Sequence, residues 1–486
     1  MTETSHATAA VIEAEVREGT YGDRVAAVEP GGAEFIPLGD RHGKPYQQFW
    51  TWVSPNMEFA TILVGIIGIW YFGQTFWTAS LAVVLGSALG SLSMGALAAR
   101  GPLFGVPQMV LSRIGFGFRG NILPAGINSV VAGIGWFAVN SVSGAFALNA
   151  LLGWNSKICL LIIVVLQIVV AFFGHNLVHM FERMAFPFLV VVFAIASVVI
   201  ISKANTGAPA TPGFPGGFGG WLVTFGAAFG YAAGWNPFAS DYTRYLPPDT
   251  NRRATGLWAG LGVFISCVVL EVVGAAAATI TSNTAFADNP TAGFTSHLAT
   301  PLADVTLLAI ALGAICANAL NVYSGSMSFL ALGIRLPLSL RRALVALVFG
   351  VVGFFVALSG LHDAGVKYTN FLLVISYWIG PWLGVFFADQ FLRRGKRVDG
   401  LLFDRKHSPW AGFAAMAIAT AVSIYLFANQ IEYIGVVPKH WSSFGDLAFE
   451  IGFVLAALLY ALFFKLQGEG RVEEVLHIPD VTAAGT

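Results

Sequence analysis

Charge and cysteine are both scarce in this chain. Only 11% of its 486 residues are Asp, Glu, Lys or Arg, too few to clothe a water-soluble protein of this length. Three cysteines are present. Cys159, Cys267 and Cys316 each fall inside an apolar stretch, so they make neither a disulfide framework nor a ligand cluster and read as small packing residues. The 26 basic and 26 acidic residues cancel, a balance that offers no case for a nucleic-acid partner. Residues 1 to about 48 are polar and lack the apolar core of a signal peptide, so the first apolar segment is expected to act as its own insertion signal. No nucleophile, base and orienter set emerges, and neither catalysis nor a cofactor is expected. Gly115 to Gly120 satisfies a dinucleotide fingerprint, yet no strand precedes it. His175 and His179 lie four apart, but Asn176 stands where a zinc-protease motif needs Glu.

What the chain does hold is apolar sequence. It is 56% hydrophobic with 55 glycines, the mix expected where helices pack closely in lipid. At about 20 residues per crossing, spans fall near 51–73, 76–98, 122–152, 157–176, 185–203, 221–240, 254–281, 303–333, 342–360, 369–390, 410–428 and 444–465. Of the 26 lysines and arginines, 22 lie in alternate loops on one side of these segments. That asymmetry marks the cytoplasmic face and puts both termini there, in an all-α, multi-pass protein of the cytoplasmic membrane. The third and eighth segments are too long for an upright crossing and are expected to tilt. The polar stretch 282–301 has the length of a short lid.

Spans one and six carry matching interruptions, Ser54-Pro55-Asn56 and Gly234-Trp235-Asn236-Pro237, where proline removes a backbone donor from an apolar helix. An offset of five spans makes the two helices cross in opposite directions. A five-helix unit repeated upside down would therefore superpose the two breaks at mid-membrane, where freed backbone groups can hold ions or solutes. A pair of ordinary proline kinks is the alternative. The expected organisation is a cytoplasmic tail (1–48), a first repeat (49–203), a second (204–390), two peripheral spans (391–466) and a second tail (467–486).

Polar amides occupy corresponding members of the two repeats: Asn128 and Asn140 in span three, Asn318 and Asn321 in span eight. Asparagine donates and accepts without charge, which suits a flat, neutral solute. Trp136 lies one turn before Asn140 on the same face, and Trp235 sits in the second break, so two indoles are placed to stack on a planar ring. Interhelical glue and interface anchoring are the competing readings of these amides and indoles. Asn56 and Glu58 sit at the first break. Glu58 and Glu271 are the acids placed centrally enough to touch a solute, a cation or a proton. Asp241 and Arg244 end span six as a gate or a structural pair, and Asp389 likewise ends span ten.

These blocks resemble the nucleobase:cation symporter family 1, in its purine and cytosine permease branch. Trp52-Val53-Ser54-Pro55-Asn56-Met57, the loop from Gly105 to Gly117, Gly135-Trp136-Phe137 with Asn140, His179 to Arg183, Gly234 to Pro247 and Asn318 to Ser324 carry the likeness, which runs from about residue 50 to 465. The resemblance implies two inverted five-helix repeats with two peripheral helices, as in leucine-transporter-like proteins. It implies solute contacts at Trp136, Asn140 and Trp235, a pocket shaped by Asn318 and Asn321, and a sodium site between the first-span break and span eight; Glu58 and Glu271 keep H+ open beside Na+ as coupling ion. Where sodium-coupled relatives carry adjacent hydroxyl residues in span eight, this chain has Cys316 and Ala317. The expected activity is cation-coupled import of a nucleobase of the cytosine or purine class, by a chain acting as a monomer. Allantoin, hydantoin or a vitamin-like heterocycle as solute, and an uncoupled facilitator, stay open.

Overall fold

The computed structural model describes residues 32–172, 175–334, 338–396 and 398–468. Among them the secondary structure is helical, with one isolated bridge between Asn429 and Ile434. A helix lies at each of the twelve apolar segments. Seven of the described helices are long and apolar enough to cross a membrane by themselves, or eight when the bent pair Gln47–Asn56 and Phe59–Trp70 counts as one span. The others are shorter or divided. The first span begins at Gln47 rather than 51, since Tyr46 and Pro45 start the turn ahead of the apolar run. The side chains of His175 and His179 lie outside the described residues.

Proline breaks both expected spans. The first passes from α1 (Gln47–Val53) through a 3-10 turn, Ser54–Asn56, into α2 (Phe59–Trp70). Glu58, at φ −151° and ψ 174°, is the extended joint, and the two halves bend by 59°. Pro55 has no N–H to give and its ring crowds the preceding turn, so a straight helix cannot continue through it. The sixth span stops at Ala233 and resumes as a 3-10 turn, Asn236–Phe238, with a short helix, Ala239–Thr243.

Missing side chains set the packing. The helix α3 (Phe76–Ala98) and the helix α4 (Arg252–Ala278) lie against the first and sixth spans. A Cβ on Gly65 would stand 1.7 Å from the Glu271 carbonyl oxygen, and one on Gly274 would stand 1.8 Å from that of Ile62. Backbone therefore touches backbone, as dispersion-driven packing in lipid favours. Gly274→Ala is expected to cost several kcal/mol, at or above the roughly 1–3 kcal/mol of ordinary overpacking, because backbone cannot swing aside as a rotamer can. A thermal melt of the purified variant at the wild-type temperature would contradict this.

The last two helices, Ala411–Phe427 and Ala448–Leu466, pack on the tenth span, Ala364–Leu392. There the Tyr460 hydroxyl meets Asp389 Oδ1 at 2.5 Å and Arg393 Nε donates to the same oxygen at 2.7 Å. Asp389 is thus a structural anchor. Residues 282–301 fold into two short helices, Asn283–Asp288 and Pro290–Thr295. Asn289 Nδ2 ties them to the third span, donating to Asn149 Oδ1 at 3.0 Å and to the Phe146 carbonyl at 3.1 Å.

Candidate solute and coupling site

The two breaks meet. Trp235 Nε1 donates to Asn56 Oδ1 at 2.9 Å, a hydrogen bond that joins the interrupted part of one helix to that of the other. Asn56 Nδ2 in turn donates to the Trp52 carbonyl at 2.7 Å, one turn back in the same span. Pro55 and Pro237 thus flank one buried junction.

The third span supplies the next wall. Between its α-helical parts lies a π-helical turn, Val131–Trp136, a wide turn that re-aims the residue at its end. Gly133 and Gly135 lie in this turn, and their absent side chains leave room for the rings of Phe349 and Phe371. Trp136 projects toward the sixth-span break, so that a Cβ on Gly234 would lie 3.0 Å from its Cζ2. Phe371 and Tyr231 hold the indole edge-on, at centroid distances of 5.1 and 5.4 Å. Beside it is a cavity of about 270 Å3 whose walls include Gly135, Val139, Tyr368 and Phe371, and which reaches Pro290 and Lys367.

Asn140 and the two asparagines of the eighth span form one cluster. Asn140 Nδ2 donates to Asn318 Oδ1 at 3.1 Å and Asn321 Nδ2 to the same oxygen at 3.2 Å. Asn318 Nδ2 donates to the Phe137 carbonyl at 2.8 Å and to Ser141 Oγ at 3.2 Å. The cluster leaves Asn140 Oδ1 and Asn321 Oδ1 buried without a hydrogen-bond partner among the described residues. Such acceptors cost roughly 1–3 kcal/mol each when dry and unmatched, and a solute N–H would meet that need. Asn128 stands apart, donating to Ser328 Oγ at 2.7 Å.

Both central acids are fully buried. Glu58 starts α2, where the Phe59 and Ala60 amides and the Tyr231 hydroxyl lie close by; neither of its oxygens closes a hydrogen bond among the described residues. A Cβ on Gly313 would lie 2.9 Å from the Glu58 Cβ, so the eighth span passes directly behind it, one turn before Cys316 and Ala317. Glu271 lies across the first span and takes a hydrogen bond from Ser87 Oγ at 2.7 Å. Thr61 and Tyr231, which the sequence reading missed, fill the space between: Thr61 Oγ1 donates to the Asn56 carbonyl at 2.5 Å and sits 2.5 Å from the Tyr231 hydroxyl. Nothing in the sequence marks them, because a buried tyrosine in an apolar span looks like filler.

On the side opposite Pro290 the junction is sealed. Trp235 packs on Trp52, Trp52 on Tyr242, and Tyr242 on Tyr323. Below them Arg244, fully buried, donates to the Tyr323 hydroxyl at 3.0 Å and to the Gly32 carbonyl at 2.8 Å. Residues 32–44 lie across this end as a strap. Arg41 Nη1 donates to the Pro102 carbonyl at 2.9 Å, and burial, with the Arg244 charge second, pushes its guanidinium down to about 10. Asp241 Oδ1 accepts from the Gln108 amide at 2.9 Å, which pins the loop from Gly105 to Gly117 under the sixth span.

Interrupted helices around a buried polar junction, sealed at one end by an aromatic stack, are the architecture of a multi-spanning membrane transporter. The fold matches that of Mhp1, a nucleobase-cation-symport-1 family transporter, at a TM-score of 0.71 and 19% identity over 90% of this chain and 96% of the other. The chain belongs to the family of permeases for cytosine/purines, uracil, thiamine and allantoin, whose model matches residues 35–452, within the purine and cytosine branch of the nucleobase:cation symporters. Its relatives include the Bacillus subtilis protein YxlA, 28% identical over 90% of this chain and 96% of that protein. The purine-cytosine permease fcyB of Emericella nidulans is 28% identical over 91% of each chain. The family is one of permeases, not enzymes.

Proposed function

We propose that this chain imports a neutral nucleobase, of the cytosine or purine class, by cation-coupled alternating access. The observation that carries the reading is the junction itself: Trp136 and Trp235 line the meeting point of two broken helices, and two amide oxygens nearby have unmet acceptor capacity. Indole faces reward any flat ring, while unmatched amide acceptors reward a ring edge that carries N–H groups. No charged side chain takes part in the hydrogen bonds of the asparagine cluster among the described residues, which disfavours a carboxylate or ammonium solute. The curated relative fcyB is a purine-cytosine permease and Mhp1 was solved with bromovinylhydantoin bound; both are consistent with a planar heterocycle here.

Alternating access follows from the asymmetry. In our reading both termini are cytoplasmic, so the cavity beside Trp136 opens outward and the strap with Arg244 closes the inner face of a cytoplasmic membrane. Residues 49–203 and 204–390 would be the two inverted halves, and one chain would hold one complete pathway. A facilitator would need a continuous polar pore, and the Trp52, Tyr242 and Tyr323 stack stands in its way. One cation crossing about 100 mV supplies roughly 2.3 kcal/mol and a tenfold gradient about 1.4 kcal/mol, enough to concentrate solute several hundredfold at a one-to-one ratio.

Thermal melts of purified protein against cytosine, uracil, adenine, hypoxanthine, allantoin and hydantoin, each with and without sodium, test the assignment. A ligand at 100 times its Kd adds about 2.7 kcal/mol to the folded state, so cytosine or a purine is expected to raise the melting temperature by several degrees. A shift from allantoin or hydantoin alone would move the solute class, and a flat response to all six would end the proposal.

A further inference from the structure

A second, larger cavity lies on the lipid-facing side, away from the breaks. It occupies about 510 Å3 between α3 and α4, with walls that include Ala88, Ser91, Leu92, Leu257, Gly260 and Phe264 and with Arg252 and Arg253 at one end. We infer that this groove is a binding site for an anionic glycerophospholipid, its phosphate on the two arginines and one acyl chain lying between the helices.

Length is the first argument. From Ala88 to Ala99 the groove follows eleven helical steps of 1.5 Å, roughly 16 Å, and half of the approximately 30 Å hydrocarbon core is about 15 Å. The groove therefore runs the depth of one leaflet. Leu92 and Leu257 are 72% and 59% exposed at its rim, as apolar side chains facing lipid would be.

Charge is the second argument. Both guanidiniums are exposed, and neither enters a hydrogen bond or ion pair among the described residues. Arg252 also opens the helix α4, so the positive end of a 27-residue helix adds to the same spot. Arg100 lies within electrostatic reach of Arg252. An apolar slot of one-leaflet depth ending in unpaired cations at headgroup level matches a phospholipid in the leaflet on the strap side, where basic pockets between helices attract anionic headgroups.

The test uses the full chain, purified and stripped of lipid, with native mass spectrometry and thermal melts against phosphatidylglycerol, phosphatidylcholine of the same acyl chains, and inorganic phosphate. Phosphatidylglycerol is expected to bind at least about tenfold more tightly than phosphatidylcholine. Arg252→Gln with Arg253→Gln is expected to remove about tenfold or more of that affinity, on the scale of each basic residue's pull near a membrane surface, and Ala88→Phe, which fills the slot, to weaken both lipids. Both variants should keep the melt shift produced by the wild type's heterocycle ligand, which shows them folded. Undiminished phosphatidylglycerol binding in the arginine variant or in Ala88→Phe overturns the inference. So does a shift reproduced by inorganic phosphate alone, which would make this a bare anion site, or a wild-type dimer that Ala88→Phe dissolves, which would make a second copy the occupant.

Discussion

Replacing Trp136 with alanine is expected to weaken binding of the heterocycle by between five- and about a hundredfold, with Trp235→Ala at least as severe. Base stacking on one aromatic is worth roughly 1–3 kcal/mol, and either indole is placed at the junction by more than its own helix. Trp136 is aimed by the π-helical turn and wedged by Phe371 and Tyr231. Trp235 also holds the two breaks together through Asn56, so its removal loses a stacking face and a tether. Truncating a buried tryptophan costs roughly 3–5 kcal/mol of stability as well, and phenylalanine variants separate the effects. Trp136→Phe should keep most of the affinity. Trp235→Phe should keep the stacking face and lose the Asn56 contact, giving an intermediate defect. Equilibrium binding of the ligand found in the melting screen, with melting temperature as the control for folding, decides the matter; wild-type affinity in a folded alanine variant removes that indole from the site.

The second large effect concerns Glu58. An ionised carboxylate at mid-membrane costs on the order of 3 kcal/mol on insertion scales, and this one has only the Phe59 and Ala60 amides and the Tyr231 hydroxyl close by. Binding a cation would relieve that cost, which makes Glu58 the proposed coupling group. Of the two coupling ions left open, Na+ and H+, the proton is the one tested through Glu58. Beside Glu58 the eighth span offers Gly313, then Cys316 and Ala317 on the next turn, and neither a thiol nor a methyl group is an oxygen ligand of the kind hard cations require. Glu58→Gln is expected to abolish accumulation driven by a pH gradient, a loss of tenfold or more, while solute exchange without a gradient continues. Wild-type uptake should fall as external pH rises and the variant's profile should be flat. The measurement is radiolabelled uptake into proteoliposomes with imposed pH or sodium gradients. An unchanged pH profile in Glu58→Gln, or accumulation that follows sodium alone, would defeat proton coupling through Glu58.

Much of this architecture is written in the residues. Apolar runs of membrane length locate the helices within a few residues, since lipid leaves backbone groups no partner but their own helix. Pro55 and Pro237 locate the breaks, because a missing donor acts on its own chain wherever the helix lies. Trp136, Asn140, Trp235, Asn318 and Asn321 are visible for a similar reason: an amide or indole in an apolar span is costly enough to be noticed. Tyr231 and Thr61 were not visible. They matter only because the sixth span delivers one to within 2.5 Å of the other, 170 residues earlier in the chain.

Local chemistry thus determined helix positions, the charge bias across the membrane and the places where helices cannot continue, since each depends on neighbours a few residues away in the chain. Packing alone decided that the two breaks share one hydrogen bond, that the third span widens into a π turn to aim Trp136, and that residues 32–44 lie over Arg244. Those contacts join residues of distant sequence, and they exist because glycine-lined helices touch closely enough for the geometry of one to fix that of the next.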